Sequence, residues 1–365
     1  MIPFPGPQEP SPPAGRTRHP YFMHDMIRRQ AVAGRATLRA IGAALEATPE
    51  PVPSGGLLFT GLGTSFHAAR AAARAAGLRL PQLRVRAADA FDVLDGGPGA
   101  PPERTAVVFS QSGATGLTIA AQRALRAQGT RVLLVTTEPE SPSAREADRV
   151  LLTEHAREES WTHTVSFTTA LVAAGRLLDA WTGTAAPSGT AEDGLGDAIT
   201  AALASESAMI ELAERFTGRD RYLLLGSGPG AAPAAEGALK LREAAGKFVA
   251  TTGVEEFLHG PIPSIGDRTA VIALATDPDQ RTRAAQGLAA AGIVGAETAL
   301  FDASGGPAEE RSVRLPAGPE PLAAALWAIP FQLLAYWVAV SDGRNPDVMG
   351  LDDPRYFRAR ASFGI

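Results

Sequence analysis

Short apolar runs alternate along this chain with longer stretches in which apolar residues recur every three or four positions. Leu57–Thr60, Leu83–Ala87, Thr105–Ser110, Arg131–Thr136 and Arg149–Thr153 have strand length, with helical spacing at Phe66–Ala76, up to about Ala127, and from Val165 to Trp181. A second series reads Tyr222–Leu225, Phe248–Thr252, Ala270–Ala275, Glu297–Phe301 and a short Val313–Leu315, closed by a long helix over Leu322–Val340. Strands alternating with helices predict parallel sheets covered on both faces, an α/β fold of two tandem doubly wound domains.

The flanking segments set the boundaries. Residues 1–20 are proline-rich and without periodicity, so they are expected to be disordered or draped over the surface. Met23, Met26, Ile27, Leu38, Ile41 and Leu45 predict one or two amphipathic helices between Tyr21 and Ala47. The first domain is placed at 21–184. Ala185–Gly196 reads as a linker, and a helix over Asp197–Phe216 opens the second domain, 197–342. The two series also look like copies of one unit. Glu103-Arg104-Thr105-Ala106-Val107-Val108 parallels Asp267-Arg268-Thr269-Ala270-Val271-Ile272, at near-equal distances from Gly61 and Gly226.

At 45% hydrophobic and 20% charged residues the composition is globular, and 365 residues suit two cores better than one. A net charge of −5 implies no broad attraction to nucleic acid or an anionic membrane, so any bound phosphate must be held locally. With no cysteine, disulfides, thiolate catalysis and cysteine–zinc sites are excluded. No apolar run is read as reaching the roughly 20 residues that span a bilayer, and the N-terminus lacks a signal-like apolar core. The expected setting is the cytoplasm. No metal constellation has adequate spacing and no cofactor is called for.

Candidate chemistry lies in the turns. Ser110-Gln111-Ser112-Gly113-Ala114-Thr115 joins a strand end to a helix start, where free N–H groups and hydroxyls suit a phosphate monoester. Ser65, in the Gly61-Leu62-Gly63-Thr64-Ser65 turn, adds a hydroxyl. Serine and threonine are also ordinary helix caps. Two such turns in one parallel sheet favour a ligand, because open α/β sheets bind at strand C-termini. Gly226-Ser227-Gly228-Pro229-Gly230 lacks the spacing of a dinucleotide fingerprint.

Glu243 is the candidate base for proton transfer between C1 and C2 of a sugar, with Lys240 one turn earlier placed to steady an oxyanion. A surface i, i+3 pair is the plain alternative; the Ala/Gly-rich helix after a glycine turn favours a buried site. His259, between Leu258 and Gly260-Pro261 and near Glu256, is a candidate for ring opening. His163 either lines the site or is a loop residue, and His19, His24 and His155 read as surface. Gly63, Thr64, Ser227, Glu256 and His163 are taken as substrate-lining.

The turns quoted above, together with Glu159-Ser160-Trp161-Thr162-His163-Thr164-Val165-Ser166-Phe167-Thr168-Thr169, Glu236-Gly237-Ala238-Leu239-Lys240-Leu241-Arg242-Glu243 and Glu256-Phe257-Leu258-His259-Gly260-Pro261, resemble the sugar isomerase (SIS) domain family in tandem arrangement, over about residues 22–345. The chain is similar to the isomerase half of glucosamine-6-phosphate synthase and to stand-alone amino-sugar phosphate deaminases and deglycases. The resemblance implies flavodoxin-like domains, and a phosphosugar held by Ser65, Ser110, Gln111, Ser112 and Thr115. It implies Glu243 as isomerising base with Lys240 beside it. It also implies that His259 reaches a site completed by a second subunit, hence a homodimer. No glutaminase segment is expected ahead of the repeat, and the 343–365 tail, expected over the site, has no lysine. Because arginine is too basic to form a Schiff base, synthesis is disfavoured. C–N cleavage on a 6-phosphorylated amino sugar or fructosamine, with release of ammonia or amine, is expected. Plain aldose–ketose isomerisation and a non-catalytic phosphosugar sensor are the alternatives. One of Arg355, Arg358 and Arg360 is expected to close over the substrate. The acid–base residues and the phosphate cradle sit in different copies, so the site should lie between them.

Overall fold

The computed structural model describes residues 16–96, 104–184, 188–307 and 312–362. The reading of residues 1–15 therefore lies outside the described residues. Arg16 is anchored rather than loose. Its guanidinium lies over the Phe22 ring and pairs with Asp25, and its carbonyl accepts from Asn345 Nδ2.

The first half runs α1 (Phe22–Ala47), β1 (Gly56–Gly61), α2 (Thr64–Arg79), β2 (Arg84–Asp89), α3 (Ala90–Asp95), β3 (Thr105–Phe109), α4 (Gly116–Ala127), β4 (Arg131–Thr136), α5 (Pro142–Glu146), β5 (Arg149–Leu152) and α6 (Val165–Thr182). The second runs α7 (Ser188–Leu203), α8 (Glu206–Arg215), β6 (Arg221–Gly226), α9 (Ala231–Ala245), β7 (Phe248–Thr252), α10 (Val254–Leu258), β8 (Thr269–Ala275), α11 (Pro278–Ile293), β9 (Glu297–Asp302), β10 (Ser312–Arg314), α12 (Leu322–Ser341) and α13 (Pro354–Ala361). Each half contains a five-stranded parallel sheet. The orders are β2-β1-β3-β4-β5 and β7-β6-β8-β9-β10, the same doubly wound topology twice. Central strands β1, β3 and β8 are buried along their whole length and read as continuous apolar runs. Edge strand β2 alternates with exposed positions.

The structure departs from the sequence reading in three places. The Gly-rich stretch read as a linker is helical from Ser188, as part of α7. Leu195, Ile199 and Ala202 bury against α1, and that burial overrides the weak local propensity. The helix read over Asp197–Phe216 is instead divided between α7 and α8 around Ala204-Ser205. Finally, α12 is a 20-residue helix apolar enough by length and composition to span a membrane, contrary to the expectation that no run reaches that length. It is apolar because nearly all its residues are buried between the two halves.

That burial joins the halves. One core cluster takes in Met23 of α1, Val172 of α6, Leu195 of α7, Leu241 of α9 and Phe331 of α12. Helix α9 packs most extensively on α12 and also touches α2 of the first half. Gly237 makes the close α9–α12 approach possible, since a Cβ there would stand 2.6 Å from Phe331 Cβ. A buried polar link runs through the same region. Gln30 Nε2 donates to Gln332 Oε1 at 2.9 Å, Thr168 Oγ1 donates to Gln30, and Gln332 Nε2 donates to Thr164 O.

Candidate active site

A cleft of about 430 Å³ opens at the C-terminal ends of β1 and β3, where the strand order of the first sheet reverses. This switch point is where a doubly wound sheet leaves a crevice between its helices. Gly63, Thr64, Ser65, Ser110, Gln111, Ser112 and Thr115 all line it. Neither α2 nor α4 has a side-chain cap bond at its start, so the Ser65 and Thr115 hydroxyls are not spent as caps; the Ser112 hydroxyl accepts from Ala114 N but keeps its proton to donate, and the Thr64 hydroxyl is engaged within the protein. Gly113 has φ +59°, and a Cβ there would collide with Ser141 Oγ, so only glycine lets the turn close this tightly. The Gln111 carbonyl accepts from Thr136 Oγ1 and Thr137 Oγ1, and Gln111 Nε2 donates to Thr137 Oγ1, which fixes the turn to the end of β4.

Helix α9 brings Glu243 into the same cleft. Lys240 lies directly behind it, fully buried. Its Nζ donates to Glu243 Oε2 at 2.5 Å and to Thr64 Oγ1 at 3.0 Å, and lies 3.5 Å from Glu236 Oε1. Thr64 Oγ1 in turn donates to Glu236 Oε1 at 3.3 Å, while Glu236 Oε2 is buried without a partner. Burial raises the Glu236 pKa to about 7, a shift opposed by Lys240 and reinforced by Glu243. Burial alone would lower the Lys240 pKa. The carboxylates of Glu236 and Glu243 outweigh it and raise the pKa, so the ammonium stays charged.

The opposite wall comes from the loop before α6. His163 lines it, and burial, helped by the Lys240 charge, drops its pKa to about 4, so its imidazole is neutral at neutral pH. Glu158 also lines the cleft. Its Oε1 accepts from Thr164 N, Ser166 N and Ser166 Oγ at 2.7–2.9 Å, holding the start of α6, and its Oε2 is buried without a partner. Burial lifts the Glu158 pKa to about 7 against those hydrogen bonds. Residues after α12 pin this loop: Trp161 N donates to Asp347 O and Thr162 Oγ1 donates to Pro346 O. At the mouth stand Met349 and Arg360, the latter with its guanidinium 5.4 Å from the Trp161 ring centroid. Arg355 instead pairs with Asp353, and Arg358 bonds Pro354 O.

Sequence reasoning passed over Glu158, whose only signal was a carboxylate some residues ahead of a helix start. It also passed over His67, whose burial pushes its pKa to about 4. His24, read as surface, is half-buried against Glu206 at 2.6 Å.

Three predicted site residues do not reach this cleft. Ser227 Oγ accepts from Val254 N at 3.1 Å, and Glu256 accepts from Thr252 Oγ1 at 2.5 Å. His259 ends α10 with its side chain 79% exposed, 3.8 Å from Glu255. Among the described residues no group of three His, Asp or Glu side chains could hold a metal ion.

Comparison with known proteins agrees with this architecture. The SIS domain family model matches residues 53–180 and 216–341. The glutamine–fructose-6-phosphate aminotransferase (isomerizing) of Aeropyrum pernix is 31% identical over 92% of this chain and 57% of its own length. That of Symbiobacterium thermophilum is 36% identical over 66% of this chain and 42% of its own. The chain thus spans about half the length of the curated relatives it matches. Among solved structures, the C-terminal domain of glucosamine-fructose-6-phosphate aminotransferase from Francisella tularensis superposes with a TM-score of 0.78 at 22% identity, covering 90% of this chain and 98% of that one. Glucosamine-6-phosphate deaminase from Thermotoga maritima gives 0.73 at 22%, covering 89% and 96%; at these identities the likeness is one of fold. With two matched domains, two sheets of one topology and homology to the isomerase half of the aminotransferases, the chain belongs to the SIS domain family.

Proposed function

We propose that this protein is a phosphosugar isomerase/deaminase of the deglycase kind, acting on a 6-phosphorylated amino sugar or fructosamine. The observation that carries the reading is that Glu243 and the hydroxyls of Ser65, Ser110, Ser112 and Thr115 line one cleft at the switch point of the first sheet. Hydroxyls and N–H groups at two helix starts suit the phosphate, which leaves the carbon end of the sugar toward Glu243. Glu243 then removes a proton from one of C1 and C2 and returns it to the other. For a fructosamine, this turns the C1 amine into an imine, and water cleaves it to free amine and aldose phosphate. Lys240 keeps Glu243 oriented and offsets the negative charge that develops.

His259 of the partner subunit would open the sugar ring in a cytoplasmic homodimer, a role consistent with its exposure away from its own chain's cleft. The experiment is Glu243→Gln. Turnover should be lost by three orders of magnitude or so, as for removal of an acid–base group, while hexose 6-phosphate still binds. Near-normal turnover would end the mechanism. Plain ketose–aldose isomerisation uses the same proton transfer, and assaying released ammonia or amine separates the two.

A further inference from the structure

The proposed reaction relocates two protons, and Glu243 accounts for only one. Between a fructosamine and its aldimine, one hydrogen leaves C1 and arrives at C2, and a second leaves the C1 nitrogen and arrives at O2. In plain ketose–aldose isomerisation the second travels from O1 to O2. The group that serves this transfer must give a proton to one atom, take one from another and end as it began. At neutral pH Lys240 and Arg360, the latter within the field of Glu243, are donors only. Glu159 pairs with Arg29 at 2.8 Å, and Glu158 spends Oε1 on three hydrogen bonds while its Oε2 is buried. A neutral imidazole has one donor and one acceptor nitrogen, and as a neutral electrophile it suits enediol chemistry.

His163 is such a group. It lines the same cleft as Glu243. The backbone that carries it is pinned on both sides. Thr162 Oγ1 donates to Pro346 O at 2.7 Å, Thr164 N donates to Glu158 Oε1 at 2.7 Å, and Thr164 O accepts from Gln332 Nε2 at 3.3 Å. Thr162 and Thr164 are fully buried. The ring between them bonds to nothing among the described residues; burial and the Lys240 charge keep it neutral. His67 differs, with Nδ1 sealed inside the protein. Position is thus fixed through the neighbours of His163, and its nitrogens are left for a ligand.

Resting on the function proposed above, we propose that His163 is a catalytic residue that carries the second proton, from the heteroatom on C1 to O2. As Glu243 takes the C1 proton, the C2 carbonyl electrons move onto O2, which takes the imidazole proton. The ring recovers a proton from the C1 nitrogen as the C1–N double bond forms and Glu243 protonates C2. Carboxylate and ring both end as they began.

The probes are fructose 6-phosphate and the 6-phosphorylated fructosamine of methylamine. In His163→Gln, which keeps a donor but cannot relay, kcat should fall about 100-fold or more, the range for losing an acid–base group. Affinity for hexose 6-phosphate, measured by calorimetry, should weaken by no more than about fivefold, the worth of one neutral hydrogen bond. In His163→Ala, added imidazole should restore turnover in proportion to its neutral form between about pH 6 and 8. Near-normal turnover of His163→Gln overturns the inference, as does an affinity loss as large as the turnover loss, or rescue that follows imidazolium. A wild type that isomerises fructose 6-phosphate through His163 but releases no amine leaves the inference standing and overturns the C–N cleavage reading. A wild type inert toward both substrates overturns the two together.

Discussion

Lys240 Nζ of the second half donates to Thr64 Oγ1 of the first at 3.0 Å, and the same hydroxyl donates onward to Glu236 Oε1. The charged cluster of α9 is thereby tied to the Gly61–Ser65 turn that lines the cleft. Lys240 and Glu236 are both fully buried, so neither can replace a lost partner with bulk water. Thr64→Val keeps the shape and removes the hydroxyl. It should cost about 1–3 kcal/mol, the range for leaving buried polar groups unsatisfied. Urea denaturation of the variant checks this, and an unchanged midpoint would show that the bridge adds nothing to stability.

Lys240 itself separates two carboxylates. Lys240→Met leaves Glu236 and Glu243 facing one another without their cation, and breaking a buried pair from one side costs about 3–5 kcal/mol. Adding Glu236→Gln to the same chain should recover part of that loss. A double-mutant cycle on unfolding free energies measures the coupling; strict additivity would mean the two do not interact.

Acid should weaken the fold through its buried histidines. His67 and His163 titrate near 4 in the folded chain, below the usual histidine value of 6.5. Between pH 6.5 and 4 the unfolded chain therefore binds more protons, and stability falls as pH is lowered through that window. Glu158 and Glu236 act in the opposite sense. Their raised values near 7 mean the folded chain holds extra protons above 4.5, so they cost stability as pH rises from 4.5 to 7. The two effects partly cancel in wild type. His67→Leu removes one histidine contribution, so the stability difference between wild type and variant should shift against wild type as pH drops from 6.5 to 4. Unfolding curves at three pH values across the window test the sign.

The hydroxyl cradle makes a simpler claim. Ser112→Ala and Thr115→Ala each remove one donor that no helix cap requires. Each should weaken binding of hexose 6-phosphate about tenfold, as expected for a hydrogen bond to a charged group. Affinity for the unphosphorylated hexose should not change. Equal losses for both ligands would place these hydroxyls elsewhere than at the phosphate.

Much of the architecture was legible because it rests on local pattern. Runs such as Arg131–Thr136 and Phe248–Thr252 appear in the structure with the bounds read from sequence; β4 is buried from Val132 onward and so reads as an apolar run, whereas β7 is an edge strand with Phe248 exposed, legible from its β-branched and aromatic residues. Short elements such as α3 and α5, one to two turns long, leave too little periodicity to read. The α7 helix was hidden because its Gly/Ala/Thr-rich start looks like a linker until α1 is there to bury Leu195 and Ile199.

The site divides in the same way. Sequence alone placed Ser65, Ser110–Thr115 and Glu243 in the right kinds of element, because strand-to-helix turns and helix spacing are local features. Only the tertiary structure decided which of these share a cleft. It did so by packing α9 against α2 and α12, which carries Glu243 across to the other half and seals Lys240 behind it. It also left Ser227, Glu256 and His259 outside that cleft, and brought Glu158, Met349 and Arg360 into it from distant parts of the chain. The physical reason is that proton affinity and charge pairing depend on burial and on neighbours remote in sequence, which no local pattern encodes.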